Sequence, residues 1–203
     1  MKRVAVFVLL VAGAMGPVLG QSESAWMFRG RLANIEPDSS GSVAPGLNVD
    51  VDNRWGLTGD IVYFWTPNVS TTLLLTYPQK HDVSVATIGE VGDLRQLPPT
   101  LTLDYHFDLS RQARIYLGVG VTWFYITDDD LALPDGTAIS ADESSFGPAV
   151  RLGLDYQLSD QWYLNLDVQK TWVSTEVSVP ALALSGDVDI DPWVYGIGFA
   201  YRF

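Results

Sequence analysis

Every second residue is apolar over long stretches of this chain, and that period of two constrains the fold more than any other feature. In the clearest stretch, from Ile115 to Tyr125, the odd-numbered residues are all aliphatic or aromatic. Successive side chains of a β-strand point to opposite faces, so this spacing gives a strand one continuous apolar face. Beyond the first 20 residues, no apolar run approaches the length of about 20 residues that a transmembrane helix needs.

Eight segments of the 203 residues have this alternation, and no stretch of comparable length has helical periodicity. They cover roughly residues 26–35, 54–65, 69–77, 100–107, 114–126, 145–156, 162–174 and 190–203. The connections between them are alternately long and short, and short turns at one end with long loops at the other are typical of outer-membrane barrels. We therefore predict an all-β fold, an eight-stranded antiparallel up-and-down transmembrane β-barrel with four long external loops and three short periplasmic turns.

Aromatic residues ten positions apart mark two margins on the same strand face. Four segments carry such a pair: Trp55 and Trp65, Phe146 and Tyr156, Trp162 and Trp172, and Trp193 and Phe203. Ten residues of a tilted strand span roughly 25 Å, the height of the apolar band of an outer-membrane barrel. We expect these eight side chains to form aromatic girdles that contact outer-membrane lipids at the two headgroup levels.

The N-terminus has the layout of a signal peptide. A basic Met1-Lys2-Arg3 precedes an apolar segment, and small residues lead to a cleavage point after Gly20. We expect residues 1–20 to be removed after Sec-type export, and residues 21–203 to form the barrel domain in the outer membrane of a Gram-negative-type bacterium. A formal net charge of −12 argues against nucleic-acid binding, and the absence of cysteine excludes disulfides and thiolate chemistry.

The last segment keeps its alternation to the end of the chain. Its apolar members are Trp193, Tyr195, Ile197, Phe199, Tyr201 and Phe203. An amphipathic final strand that ends in an aromatic residue resembles the signal recognised by the bacterial outer-membrane assembly machinery. We therefore expect that machinery to be a partner of the C-terminal strand.

Several motifs resemble those of the outer membrane protein W (OmpW) family of small eight-stranded barrels. They are Leu97-Pro98-Pro99-Thr100-Leu101, Asp191-Pro192-Trp193-Val194, Gly198-Phe199-Ala200-Tyr201-Arg202-Phe203 and Gly153-Leu154-Asp155-Tyr156, together with Arg29 and His81. The resemblance covers essentially the whole chain after the signal peptide. It implies a largely apolar lumen, passage of small hydrophobic molecules and a link to envelope stress. Gln96 stands where the family often has a histidine, so any role of that histidine does not transfer.

The strand face opposite the aromatic residues is expected to line the lumen, and its formal charges balance. By strand parity these residues are Arg29, Arg31, Arg151 and Arg202, Asp60, Asp104, Asp155 and Asp167, and His106. All lie toward the end with the short turns. Because buried charges need partners of opposite sign, we expect an ion-paired plug that closes the periplasmic half of the lumen. For each residue, simple packing and neutralisation of the lumen is the alternative.

The inward positions of the outer half carry no formal charge. They are Ala33, Gly56, Thr58, Leu74, Thr122, Phe124, Gly147, Ala149, Thr171 and Val194. These residues predict an apolar pocket, open to the outside, that passively takes up small hydrophobic solutes. Pro148 lies on the lipid-facing side and cannot donate to a β-ladder, so it marks a candidate lateral opening into the membrane; a frayed strand end is the alternative.

A second function remains open from sequence: a structural or stress-related surface barrel that contacts lipopolysaccharide or a recognition partner and transports nothing. The carboxylates of residues 128–130 and 187–191 suit calcium but lack the spacing of an EF-hand loop, so a solvated acidic surface is favoured and neither cofactor nor metal is expected. Lys170, beside Trp172 on the lipid-facing side, is expected to reach the headgroup level or a lipopolysaccharide phosphate.

Catalysis is not expected. His81 falls in a long loop and His106 near the short turns, so the two histidines belong to opposite ends of the barrel. A hydrolase or acyltransferase needs a nucleophile, a base and an orienting acid at one place, and no such Ser-His-Asp grouping is apparent.

We expect the barrel to be a monomer.

Overall fold

The computed structural model describes residues 24–38, 40–41, 49–51, 53–77, 79–85, 89–131, 137, 140–141, 144–179 and 184–203. These residues form fifteen strands. They are β1 (Trp26–Glu36), β2 (Ser40–Gly41), β3 (Val49–Val51), β4 (Arg54–Thr66), β5 (Val69–Thr76), β6 (Gln79–Val85), β7 (Gly89–Leu97), β8 (Thr100–Asp108), β9 (Ala113–Leu131), β10 (Ser140–Ala141), β11 (Ser144–Gln157), β12 (Trp162–Thr171), β13 (Ser174–Val179), β14 (Leu184–Asp189) and β15 (Trp193–Arg202). The predicted signal peptide and its cleavage point lie outside the described residues.

Eight of these strands close into a barrel in the order β1, β4, β5, β8, β9, β11, β12, β15. Every neighbouring pair is antiparallel. The ring closes between the first and last strands, whose register runs from Met27↔Arg202 to Glu36↔Trp193. The predicted all-β, eight-stranded antiparallel barrel is therefore confirmed.

The barrel is apolar outside and polar inside, the reverse of a water-soluble protein. In β8 the apolar side chains are 46–54% exposed and the polar ones are at most 2% exposed, Leu101, Leu103, Tyr105 and Phe107 against Thr100, Thr102, Asp104 and His106. Strands that alternate apolar-out and polar-in are those of a transmembrane barrel. Within the described residues, no helix is long and apolar enough to cross a membrane.

The long connections are not simple loops, and here the structure differs from expectation. Strands β6 and β7 form a hairpin, β13 and β14 form another, and β9 continues to Leu131, beyond the predicted end at residue 126. Strand β7 pairs with the extension of β9, from Gly92↔Leu131 to Leu97↔Tyr125, so the wall continues past the barrel strands. The connection between the predicted segments 69–77 and 100–107 thus contains two paired strands.

The short turns at the opposite end are closed by side-chain hydroxyls. Thr66 Oγ1 accepts from the backbone N–H of Val69 at 3.0 Å, and Ser110 Oγ accepts from that of Ala113 at 3.0 Å. Ser159 Oγ accepts from the N–H of Trp162 at 3.3 Å. Such hydroxyl-capped turns satisfy backbone donors that the ladders leave free, which fixes the register of the strands they join.

Because the outward face contacts lipid, a charge placed at mid-strand should destabilise the barrel. Val119 is 59% exposed and pairs with Leu103 and Val150. We expect Val119→Arg to lower the free energy of unfolding by about 2–4 kcal/mol, the cost of arginine near the bilayer midplane. The control Leu158→Arg, in a short turn, should cost about 0–1 kcal/mol. Urea unfolding in lipid vesicles measures both, and equal losses would contradict a lipid-facing position for Val119.

Candidate functional site

Three arginines and three aspartates meet in the lumen on the side of the short turns. Arg29 Nη2 lies 2.6 Å from Asp155 Oδ2, and Arg151 Nη2 lies 2.9 Å from Asp60 Oδ2 and 2.8 Å from Asp167 Oδ2. Arg31 Nη2 is paired with Asp60 Oδ1. All six side chains are at most 2% exposed. We call these six residues the ion-pair network. Its formal charge is zero.

Two neutral side chains add hydrogen bonds to this network. The Tyr116 hydroxyl donates to Asp167 Oδ2 at 2.6 Å. Asn165 Nδ2 donates to Asp155 Oδ1 at 2.7 Å, while its Oδ1 accepts from Arg31 Nη1 at 3.0 Å. Carboxylates buried among several donors offset the cost of removing them from water. Both residues occupy inward positions of predicted strands, but neither carries a formal charge, so neither was predicted as part of the plug.

Glycines make room for the large side chains of the network. A Cβ at Gly153 would overlap the ring of Tyr116, and one at Gly118 would overlap the carboxylate of Asp104 and the side chain of Arg151. The Arg29 guanidinium in turn lies 4.4 Å from the Tyr116 ring centroid. Absence of a side chain at these inward positions is what lets the arginines cross the barrel.

The other three predicted plug residues lie around the network and have different partners. Thr72 Oγ1 donates to Asp104 Oδ2 at 2.5 Å, and His106 Nε2 lies 2.9 Å from Ser70 Oγ. Arg202 Nε donates to the carbonyl of Ser24 at 3.0 Å, and its guanidinium lies over Phe64. All three are buried in the lumen. Their role as a plug stays a prediction.

A small cavity lies in the outer half of the lumen. Its volume is about 30 Å³, which holds one or two water molecules. Its lining consists of Ile35, Leu74, Thr76, Tyr77, Pro98, Thr100, Thr122, Phe124, Gln169, Thr171, Val173, Pro192 and Val194. Five of the residues predicted to line a pocket are among these: Leu74, Thr122, Phe124, Thr171 and Val194.

The other five predicted pocket residues are buried but are not part of this lining: Ala33, Gly56, Thr58, Gly147 and Ala149. Thr58 Oγ1 accepts from Arg31 Nε at 3.4 Å and so contacts the network. A Cβ at Gly147 would collide with the backbone carbonyl of Trp172, so that glycine allows close approach of two chain segments and adds no space. The cavity is therefore narrower than the predicted pocket.

The cavity has a hydroxyl and amide floor, which we call the polar floor: Thr100, Thr122, Gln169 and Thr171. The Oγ1 atoms of Thr100 and Thr122 lie 2.8 Å apart, and those of Thr122 and Thr171 lie 3.3 Å apart. Gln169 Nε2 donates to Thr100 Oγ1 at 3.3 Å and to Thr171 Oγ1 at 3.2 Å. Gln169 pairs in register with Arg151, so the floor adjoins the ion-pair network.

One side of the cavity meets an interruption of the β-ladder between β5 and β8. The ladder of these strands ends at Leu74↔Thr100, and both Tyr77 and Pro98 line the cavity. The carbonyl of Pro99 accepts from Trp123 in β9 at 2.9 Å. Because backbone groups alternate sides along a strand, the N–H that Pro98 lacks is the one that would face β5. We call this interruption the β5–β8 seam.

Pro148 lies on the outward face of β11, and its carbonyl accepts from Trp172 N–H at 3.0 Å. Proline cannot donate the reciprocal bond, and the β11–β12 pairing ends at the next residue pair, Ala149↔Thr171. Pro148 is not among the residues that line the cavity. A lateral opening at Pro148 stays a prediction.

The eight predicted girdle aromatics are all exposed, from 36% for Trp193 to 69% for Phe146.

The side chain of Lys170, predicted on the lipid-facing side near the outer margin, is 7% exposed. Its Nζ donates to the carbonyl of Asp191 at 2.6 Å, lies 3.6 Å from Asp38 Oδ2 and lies 5.1 Å from the Trp193 ring centroid. The rim of the barrel therefore provides partners for this ammonium group.

Within the described part of the chain, no group of three or more histidine, aspartate or glutamate side chains is placed to hold a metal ion. The side chains of His81 and residues 128–130 lie outside the described ones. The calcium alternative for the acidic segment 128–130 is therefore not addressed by the described side chains.

A closed eight-stranded barrel with an apolar exterior and a polar, ion-paired lumen defines a small outer-membrane β-barrel. The OmpW family model matches residues 22–203. The chain thus belongs to the OmpW family, whose members are non-enzymatic barrels of the bacterial outer membrane, and the resemblance noted in the sequence is confirmed.

Individual relatives agree with this assignment over 80% or more of the chain. Outer membrane protein W of Vibrio cholerae serotype O1 is 31% identical over 213 residues, covering 96% of each chain. Outer membrane protein AlkL of Ectopseudomonas oleovorans is 29% identical over 170 residues, covering 80% of this chain and 72% of AlkL. The crystal structure of OprG from Pseudomonas aeruginosa matches with a TM-score of 0.80 at 30% identity, covering 90% of this chain and 98% of OprG.

Removing one cation from the network should destabilise the barrel strongly. Arg151→Met removes the buried guanidinium that pairs with both Asp60 and Asp167. We expect the free energy of unfolding to fall by about 3–5 kcal/mol, the usual cost of breaking a buried ion pair on one side. Arg111→Met, in an exposed short turn, is the control and should change little. Urea unfolding in vesicles decides, and similar losses for the two variants would contradict a stabilising network.

Proposed function

We propose that this barrel takes up small hydrophobic molecules passively through the outer half of its lumen. The observation that supports this most is the cavity walled by Ile35, Leu74, Phe124, Val173 and Val194, without formal charge, directly outside the ion-pair network. Pockets for small ligands are typically apolar with a few polar groups. The passage of small hydrophobic molecules implied by the OmpW resemblance points the same way.

Axial passage to the periplasm is blocked in this proposal. An apolar solute moving inward from the cavity meets buried ion pairs such as Arg151–Asp60 and Arg29–Asp155. Separating them without compensating partners costs several kcal/mol. An eight-stranded barrel interior is also just filled by side chains, so no wide aqueous route runs beside them.

The exit that fits the geometry best is sideways, through the β5–β8 seam. Pro98 and Tyr77 border the cavity where β5 and β8 no longer pair. Leu75 and Tyr77 are exposed on the outer surface beside this seam. A solute that passes between these strands reaches lipid without crossing the network, because the outer surface of the barrel is apolar.

The small volume of the cavity favours the second candidate, a structural barrel whose lumen is only packing. One or two waters fill the space that is present. Uptake therefore requires the outer side chains to move apart as the solute enters. The two functions differ in whether blocking the cavity changes solute entry.

A bulky residue in the cavity should abolish uptake. Leu74 is buried and lines the cavity, whereas Leu32 is exposed on the outer face of β1, away from the β5–β8 seam. Cells of a Gram-negative host that produce the barrel are mixed with N-phenyl-1-naphthylamine, an apolar dye that fluoresces once in the membrane. We expect Leu74→Trp to lower the initial rate to that of cells without the barrel, because indole fills the cavity.

Leu32→Trp is the matched control and should retain the wild-type rate at equal surface amounts of folded barrel. A wild-type rate equal to that of cells lacking the barrel would favour the structural function. So would equal rates for the wild type and Leu74→Trp.

The site of lateral exit can be tested by restoring a backbone donor at each proline. We expect Pro98→Ala to slow dye entry, because the new N–H faces β5 and can extend the ladder beyond Leu74↔Thr100. Pro148→Ala serves as the comparison at the other interrupted seam. Slower entry only in Pro148→Ala would move the exit to β11–β12, and unchanged entry in both variants would exclude a role for either seam.

A further inference from the structure

We propose that the polar floor is a head-group site for small neutral solutes that carry one hydroxyl, such as alcohols or phenols. The solute hydroxyl donates a hydrogen bond to Gln169 Oε1, and its hydrocarbon part lies against the apolar walls above. This inference rests on the proposed uptake function, since the solute must enter the cavity. It adds a substrate class that the apolar walls alone do not define.

Gln169 has an acceptor without a partner at the floor of the cavity. The residue is 3% exposed, and both N–H groups of its amide are directed at the hydroxyls of Thr100 and Thr171. Among the described residues, Gln169 Oε1 is buried and has no hydrogen-bond partner. A buried carbonyl oxygen left unpaired is unfavourable, so a ligand that supplies a donor is favoured there.

The hydrogen bonds of the threonines support this orientation of the amide. Gln169 Nε2 has two N–H donors, and it donates to two hydroxyl oxygens, those of Thr100 and Thr171. Turning the amide over would let Oε1 accept from those hydroxyls but would leave two buried donors unpaired in place of one acceptor. The arrangement with the fewer unpaired groups leaves Oε1 as the unpaired atom of a residue that lines the cavity, so a ligand that reaches it must supply a donor.

The walls above the floor determine what else the ligand can be. Ile35, Leu74, Phe124 and Val173 line the cavity and offer no charge to pair with an ammonium or carboxylate. A charged head group would lose its hydration there without compensation. The cavity volume of about 30 Å³ is close to the space of one hydroxyl group and its first carbon atoms. One neutral hydroxyl at the inner end and an apolar remainder facing outward therefore fit the site.

Two isomers that differ only in the donor test this directly: 1-hexanol and methyl pentyl ether. The barrel is placed in lipid nanodiscs, and each isomer is titrated while NMR follows the backbone amides of Phe124 and Val194, both in the cavity lining. Empty nanodiscs give the share of each isomer that partitions into lipid. We expect the wild type to bind 1-hexanol about five-fold more tightly, the effect of one buried hydrogen bond.

Gln169→Met keeps the size of the side chain but removes the acceptor, so the two isomers should bind about equally to this variant. Gln161→Met, at an exposed position in a short turn, is the matched control and should keep it. The wild-type comparison of the two isomers stands by itself if Gln169→Met does not fold. Equal binding of the isomers, tighter binding of the ether, or a preference that survives in Gln169→Met would overturn the proposal.

The dye experiment separates this inference from the function on which it rests. Dye entry that Leu74→Trp blocks, together with equal binding of the two isomers, refutes only the head-group site. If neither isomer moves the cavity signals and the dye does not enter through the barrel, both proposals are wrong.

Discussion

The interaction on which this barrel depends most is the pairing of buried charges across its lumen. Arg29, Arg31 and Arg151 cannot be hydrated at this depth, so each carboxylate among them must replace water as a partner. Tyr116 and Asn165 supply hydrogen bonds that the arginines leave open. In the proposed uptake route a solute therefore leaves the lumen before it reaches these ion pairs.

The architecture was predictable because lipid and lumen impose opposite demands on alternate residues of every strand. Parity alone assigned Asp60 and Asp167 to the interior and Trp55 to the exterior, since a shift of one residue would reverse both. Which arginine meets which aspartate was not predictable, because cross-barrel neighbours depend on how strand tilt and stagger bring distant strands together. The pairing of residue 29 with residue 155 has no local signature.

Two features were missed for physical reasons that differ. Gln169 has no formal charge and no motif, and it matters only because its neighbours bind its nitrogen and leave its oxygen unpaired. The hairpin β6–β7 was obscured by its polar sequence, since a strand beyond the apolar band does not need a lipid-facing side. In both cases the three-dimensional surroundings, and not the residue type, carry the information.

The placement of the network also bears on how the barrel is completed. The first two barrel strands, β1 and β4, contribute Arg29, Arg31 and Asp60, a net positive charge of one, whereas β11 and β12 contribute one arginine and two aspartates. Neither of these two groups of network residues is neutral without the other. Closure of the ring between β1 and β15 brings these two groups together, and the electrostatic attraction between them promotes that step.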